Sequence, residues 1–233
     1  MTETKTTCMK TIFYLLLFYS TFSFSQVYEF VKTKKNKIIS HRIIVDKEYL
    51  IETQYVKEPA EFILTRGGYY KKKGKTYNVE LEFNSNIEND GLKIIDLKKE
   101  KSWSKSKNEP LDLNGKWLMA GRVTKEGERR RDITRPRKTM KFLKDGYFQW
   151  IAFNTETFQF FGTGGGFYSA EKGIYTENIE FFSRNNKSVG RILPFNYEIQ
   201  DSDWHHKGKS SKGKPMYEIW TRRSNLIFKK VKF

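Results

Sequence analysis

Downstream of residue 25 the hydrophobic positions of this chain recur every second residue in short runs rather than at helical spacing. Tyr77, Val79, Leu81 and Phe83 share one face of such a run, with Asn78, Glu80, Glu82 and Asn84 opposite, the pattern of a half-buried β-strand. Aromatic and β-branched runs follow over 147–153, 158–162, 166–169, 175–183, 191–199 and 216–221. Turn formers punctuate them, as in Lys144-Asp145-Gly146, Glu171-Lys172-Gly173 and Asn185-Asn186. The spacing predicts an all-β protein, an antiparallel meander closing into a barrel or sandwich. The glycine runs Gly67-Gly68 and Gly164-Gly165-Gly166 lack a following helix and a Gly-Lys-Ser/Thr triplet. They read as bulges or sharp bends rather than phosphate loops.

The pattern also repeats. Shifting the chain by 98 residues aligns 49–85 with 147–183 without a gap, and 11 of these 37 positions are identical. Among them are Tyr49/Tyr147, Phe62/Phe160, Gly67/Gly165, Gly68/Gly166, Glu82/Glu180 and Phe83/Phe181. The period is too long for a solenoid and suits two copies of one small unit. This divides the chain into a first unit over 26–112 and a second over 113–233, with a polar boundary at 104–112 that contains Pro110. The runner-up is one larger sheet to which both copies contribute strands.

Carried across the repeat, the alternation predicts which side chains point inward. In the second copy they are Tyr175, Glu177, Ile179 and Phe181 on one strand, and Tyr147, Gln149, Ile151 and Phe153 on another. Glu177 stands where the first copy has Val79, and Gln149 where it has Ile51. Two polar groups in an aromatic interior each require an internal partner, water or a ligand. A structural hydrogen bond to a Tyr or Arg of the same barrel is as good a reading as a ligand contact. On the ligand reading the site is Glu177 and Gln149, with Tyr147, Phe153, Tyr175 and Phe181 as stacking surface and Trp204 and His206 at the rim.

Composition narrows the class. The 233 residues include 19 Phe, 13 Tyr and 5 Trp, too many aromatics for a disordered chain. The amino terminus reads as a secretory signal peptide over 1–25. It has a polar segment with two lysines, an apolar run over 11–24, and Ser23-Phe24-Ser25 before Gln26. Met9 offers an alternative start to Met1. The expected location is the periplasm, the outer-membrane surface or the medium. The single cysteine, Cys8, precedes the apolar run, so a chain cleaved after Ser25 has no disulfide, thiolate nucleophile or cysteine-bound zinc.

The formal net charge of +17 is unevenly placed. Residues 26–112 carry 18 basic and 14 acidic side chains, whereas 113–233 carry 24 and 12. The excess sits in Arg129-Arg130-Arg131, Arg135-Pro136-Arg137-Lys138, 207–214 and 229–232. These are loops and a tail without a nucleic-acid motif, which disfavours nucleic acid as partner and leaves a solvated surface, with acidic surface polymers a weaker reading.

Leu113-Asn114-Gly115-Lys116-Trp117 resembles the Gly-x-Trp opening strand of lipocalin-like (calycin-type) barrels, and Tyr217-Glu218-Ile219-Trp220-Thr221-Arg222-Arg223 resembles their closing strand. The resemblance implies that Arg222 or Arg223 covers Trp117, making Gly115, Trp117, Arg222 and Arg223 a structural signature. The stretches 164–168, 175–183 and 203–213 are further similar to secreted bacterial lipocalin-like proteins without an established activity. The resemblance covers about 113–223 and implies a ligand cavity without a reaction; carried across the repeat it gives two tandem barrels, the first lacking both Gly-x-Trp and Glu-x-Trp.

Catalytic chemistry finds little support. His205 and His206 are adjacent on a strand, point to opposite faces and cannot readily share a metal. Glu177 and Glu180 are a poor glycosidase pair for the same reason, and no nucleophile elbow occurs. No cofactor is expected. A binding module for a small apolar or aromatic molecule leads, a structural or interaction protein with filled barrels follows, and an enzyme comes third.

Overall fold

The computed structural model describes residues 26–223; the expected signal segment and the basic tail at 229–232 lie outside the described residues. Seven strands make the first sheet: β1 (Gln26–Lys34), β2 (Lys37–Val45), β3 (Tyr49–Val56), β4 (Glu61–Lys73), β5 (Thr76–Asn84), β6 (Ile94–Lys98) and β7 (Ser104–Lys105). Their order is β6-β5-β4-β3-β2-β1-β7, all antiparallel, with a one-turn helix α1 (Ile87–Asp90) between β5 and β6. The second sheet comprises β8 (Gly115–Thr124), β9 (Gly127–Arg130), β10 (Arg137–Lys144), β11 (Tyr147–Asn154), β12 (Phe160–Glu171), β13 (Ile174–Phe182), β14 (Ile192–Gln200), β15 (Asp203–Lys209) and β16 (Pro215–Arg222). Pairing of β10 with β8 closes eight of these strands into a barrel, from which β9 projects as a hairpin arm.

Two barrels were expected, and one closes. After β6 the first unit supplies only the two-residue β7, where after β14 the second unit supplies the full strands β15 and β16, which reach β8 and complete the ring. Seven strands without those partners stay an open sheet. Nor do the units merge into one larger sheet, since the described strands form two separate ladders.

The hairpins follow the local chemistry. Lys35-Asn36 has φ of 47° and 61°, Asp145-Gly146 has 48° and 77°, and Lys172-Gly173 has 49° and 77°. Positive φ at both central residues is the type I′ turn, whose twist matches that of the flanking strands. The glycine runs are bulges: register shifts fall between Gly67 and Gly68 and between Gly165 and Gly166. A Cβ on Gly68 would lie 1.9 Å from the Glu80 carbonyl oxygen, and one on Gly166 the same distance from that of Asn178. Only glycine fits there.

Residues 98 apart occupy equivalent ladder positions. Tyr49 pairs with Tyr69 as Tyr147 pairs with Phe167, and Ile43 pairs with Glu52 as Lys141 pairs with Trp150. Thr65 donates its backbone N–H to the Ser85 hydroxyl and accepts from the Ser85 N–H, as Thr163 does with Ser183.

Among the described residues three apolar clusters hold the two sheets together. One fills the barrel around Trp117, Phe148, Tyr175, Trp204 and Trp220. Another covers the far face of the first sheet around Ile43, Tyr77, Val79 and Trp103. The third lies between the units, where Ile44, Tyr49, Ile51 and Phe83 meet Phe142, Tyr147, Ile151 and Phe153. This contact is nearly two-fold in its chemistry. Phe62 stacks on its own counterpart Phe160 at 6.1 Å, and Phe83–Phe153 is mirrored by Tyr55–Phe181, both at 5.0 Å.

The units also exchange arginines. Arg42 of β2 bonds Glu180 at 2.5 Å and lies 4.5 Å from the Tyr147 ring and 5.3 Å from that of Phe167. Arg223 bonds Glu82 at 2.7 Å and lies 5.1 Å from Tyr49 and 5.4 Å from Tyr69. Each buried guanidinium thus enters an equivalent Tyr–aromatic–Glu cage on the other unit. Burial penalises both charges, but the carboxylates outweigh it and hold each arginine above its already high ordinary pKa.

Candidate functional site

The barrel is filled at one end and hollow at the other. At the filled end Trp117 donates its indole N–H to the Leu113 carbonyl at 2.7 Å and meets Trp204 edge-on. Arg222 covers Trp117 at 3.9 Å. Of the two arginines the resemblance offered for that role, Arg222 takes it and Arg223 leaves for the first sheet. Toward the opposite end, where β8 finishes and β10 begins, a cavity of about 440 Å³ opens. Its wall is mixed: Met119, Trp150, Ile179, Leu193, Phe195 and Trp220 give it an apolar and aromatic surface, and charged and polar side chains share the lining.

A buried polar group sits at its floor. Lys141 on β10 donates to Glu177 at 2.8 Å, and the Tyr175 hydroxyl donates to the same carboxylate oxygen at 3.0 Å. The ammonium is surrounded by rings, 4.9 Å from Trp204, 5.0 Å from Tyr175 and 5.1 Å from Trp220. His206 is 1 % exposed and, among the described residues, has no hydrogen-bond partner on either ring nitrogen; its Nδ1 lies 3.7 Å from Glu218. Burial, helped by the Lys141 charge, pushes His206 far below the ordinary imidazole range, so it is neutral near pH 7. Burial raises Glu218, partly offset by Lys141 and Arg122.

Arginines ring the mouth. Arg122, Arg131, Arg137 and Arg184 all line the opening. Arg122 reaches Glu218 at 3.4 Å. Arg131 touches the Met119 sulfur, Arg137 lies 3.9 Å from the Phe161 ring, and Arg184 donates to the Phe161 carbonyl. Burial lowers the Arg131 pKa, and Arg137, Arg122 and Arg135 add to it by like-charge repulsion.

The residues expected to form one site divide between the two faces of the barrel wall. Glu177 and His206 line the cavity, His206 at its depth rather than at the rim. Tyr175 and Trp204 belong to the packed floor beneath it. Gln149, Tyr147, Phe153 and Phe181 face the first sheet instead, which corrects the inward face expected for them. Gln149 is satisfied there, accepting from Thr53 at 2.9 Å and donating to Thr65 and Thr163 at 3.0 and 3.1 Å. Tyr147 donates to Glu29.

There are two reasons for the correction. Strand β11 is apolar on both faces, so alternation cannot tell barrel from interface, and Trp150 and Ala152 are the residues that line the cavity. On β13 the bulge turns the strand over between Ile179 and Phe181, so Phe182 takes the cavity position. Lys141 was also missed. Extending the 98-residue comparison to Ile43/Lys141 would have shown that lysine and Glu177 together replace the Ile43 and Val79 of the first sheet.

A closed antiparallel β-barrel with an internal cavity and a second sheet packed on its wall is the class that fold and site define. A family sequence profile described as Domain of unknown function (DUF4488) matches residues 112–228, and the chain belongs to that family. The match spans the barrel, and the first sheet lies outside it. No curated protein matches the chain.

Proposed function

We propose that this is an exported, non-catalytic, lipocalin-like protein that binds a small apolar or aromatic molecule in its barrel. The observation that carries the reading is the cavity of about 440 Å³, inside the range of about 300–1,000 Å³ usual for small-molecule sites, with an apolar and aromatic surface inside and polar groups at its floor and mouth. On this reading the two units descend from one duplicated ancestor, as the shared registers and the exchanged arginines suggest. The second unit keeps the cavity, and the first serves as its supporting sheet. Export follows from the amino-terminal segment and is tested by sequencing the mature terminus, with Gln26 expected first.

Binding is tested with N-phenylnaphthylamine, a neutral aromatic dye, titrated against the full mature chain and read by energy transfer from tryptophan. Trp150 and Trp220 line the cavity, so saturable transfer is expected. Leu193→Trp, which adds bulk to the partly buried cavity wall, should abolish it. No saturable binding, or binding indifferent to Leu193→Trp, would refute the reading.

A second reading, acid–base catalysis, is favoured by one observation. Glu218, held above the usual carboxylate range, stands beside a neutral histidine in the same cavity. Turnover lost in both Glu218→Gln and His206→Gln would select it over simple binding.

A further inference from the structure

We propose that the molecule taken into the barrel is an organic anion, its acidic group held at the mouth by Arg131, Arg137 and Arg184 and its apolar body inside against Trp150, Phe195 and Trp220. This rests on the barrel interior being a ligand cavity and adds the charge and the orientation of the occupant.

Three observations converge on it. First, the mouth carries an unneutralised excess of positive charge. Among the described residues none of Arg131, Arg137 and Arg184 forms an ion pair, whereas Arg122 at the same mouth pairs with Glu218. Second, these guanidinium groups are oriented by neutral contacts. Arg137 and Arg184 both lie against Phe161, and Arg184 is also 5.5 Å from the Trp150 ring, while Arg131 rests on the Met119 sulfur. Guanidinium groups placed over aromatic surface at the edge of a low-dielectric cavity suit a carboxylate, sulfonate or phosphate, which they bind in a planar, bidentate manner. Third, the interior holds a polar group without a partner. Both nitrogens of His206 are buried and have no hydrogen-bond partner among the described residues, and the ring lines the cavity. A hydroxyl, carbonyl or amine at the inner end of the ligand would satisfy it.

The acidic side of the cavity does not oppose an anion. Glu177 is neutralised by Lys141 at 2.8 Å and lies at the floor, and Glu218 is engaged by Arg122. The amphiphile is therefore oriented, with its acid outward at the arginines and its apolar end inward.

Two dyes with the same aromatic frame provide the test: N-phenylnaphthylamine, which is neutral, and anilinonaphthalene sulfonate, which adds one sulfonate. Both are titrated against the full mature chain, Leu193→Trp, and the double variant Arg131→Gln/Arg137→Gln. The sulfonate should bind at least about tenfold more tightly than the neutral dye, as one charge-assisted contact allows. Raising the salt should erode that advantage for the sulfonate alone. In the double variant the advantage should fall below about threefold while the affinity for the neutral dye is kept. Leu193→Trp should lose both dyes.

Equal affinity of the two dyes in the parent chain would overturn the anion assignment and leave the cavity reading standing. An advantage that survives the double variant would overturn the role of the arginines. Sulfonate binding that persists in Leu193→Trp would show a surface site and overturn the proposal. Failure of both dyes would overturn this proposal and the cavity reading together.

Discussion

The Lys141–Glu177 pair is the best place to test the physical account of the barrel. The two side chains are only 5 % and 8 % exposed and 2.8 Å apart, with Tyr175 as a further donor to the carboxylate. Removing one member leaves an uncompensated charge in a ring of aromatic side chains, a loss of about 3–5 kcal/mol. Removing both is a different matter. Ile43 and Val79 occupy the equivalent ladder positions in the first sheet and are fully buried there, so Lys141→Ile/Glu177→Val supplies a combination the same architecture already accommodates. Replacing a buried pair with well-packed apolar residues is often neutral or stabilising.

The expected outcome is therefore a double variant within about 1 kcal/mol of the parent, and single variants each well below it. The coupling in the double-mutant cycle should exceed about 2 kcal/mol. Urea unfolding followed by tryptophan fluorescence reads this directly. At an m-value of about 2 kcal/mol/M, each single variant should lower the midpoint by about 1.5–2.5 M. If Glu177→Val alone costs less than about 1 kcal/mol, or the double variant is no better than the weaker single, the charges are not a desolvated pair and the reasoning fails.

Two further predictions bear on the rest of the molecule. Arg223→Met should strand Glu82 between the units and destabilise the whole chain by about 2–4 kcal/mol in urea unfolding, whereas Arg222→Met, half-exposed over Trp117, should cost about 0.5–1 kcal/mol. His206, depressed in the folded state by burial, stays neutral while the unfolded chain takes up a proton near pH 6.5. Its contribution is thus present above pH 6.5 and lost as the pH falls, by up to about 1.4 kcal/mol per unit. Glu218, raised in the folded state, changes in the opposite sense but is common to parent and variant, so the stability of the parent relative to His206→Gln should fall between pH 7 and 5. A constant difference would contradict a buried neutral imidazole.

Much of the architecture was legible in local chemistry. Alternation in Tyr77–Val79–Leu81 and the type I′ turn residues are consequences of side-chain period and backbone sterics, which any short window of the chain contains. Gly67-Gly68 and Gly165-Gly166 announced their bulges because no other residue tolerates a carbonyl where the Cβ would be. The Gly115-x-Trp117 opening and Arg222 likewise meet where β16 pairs with β8, Arg222 being the register partner of Trp117.

What the chain could not state locally is which buried face is which. Tyr147, Gln149, Ile151 and Phe153 are apolar or satisfied because a second sheet covers them, and Phe148, Trp150 and Ala152 are apolar because they line the barrel. Both environments exclude water, so both leave the same hydrophobic pattern, and only the packing of one sheet on the other distinguishes them. The same holds for charge. Arg42 looks like an ordinary surface arginine in the sequence and Arg223 like a candidate cover for Trp117, yet the contact between the units buries them against Glu180 and Glu82. Arg131, Arg137 and Arg184 come from separate strands and loops and become one cationic rim only when the barrel closes. Long-range closure decides these placements because the partners are brought together by sheet geometry and not by any spacing along the chain.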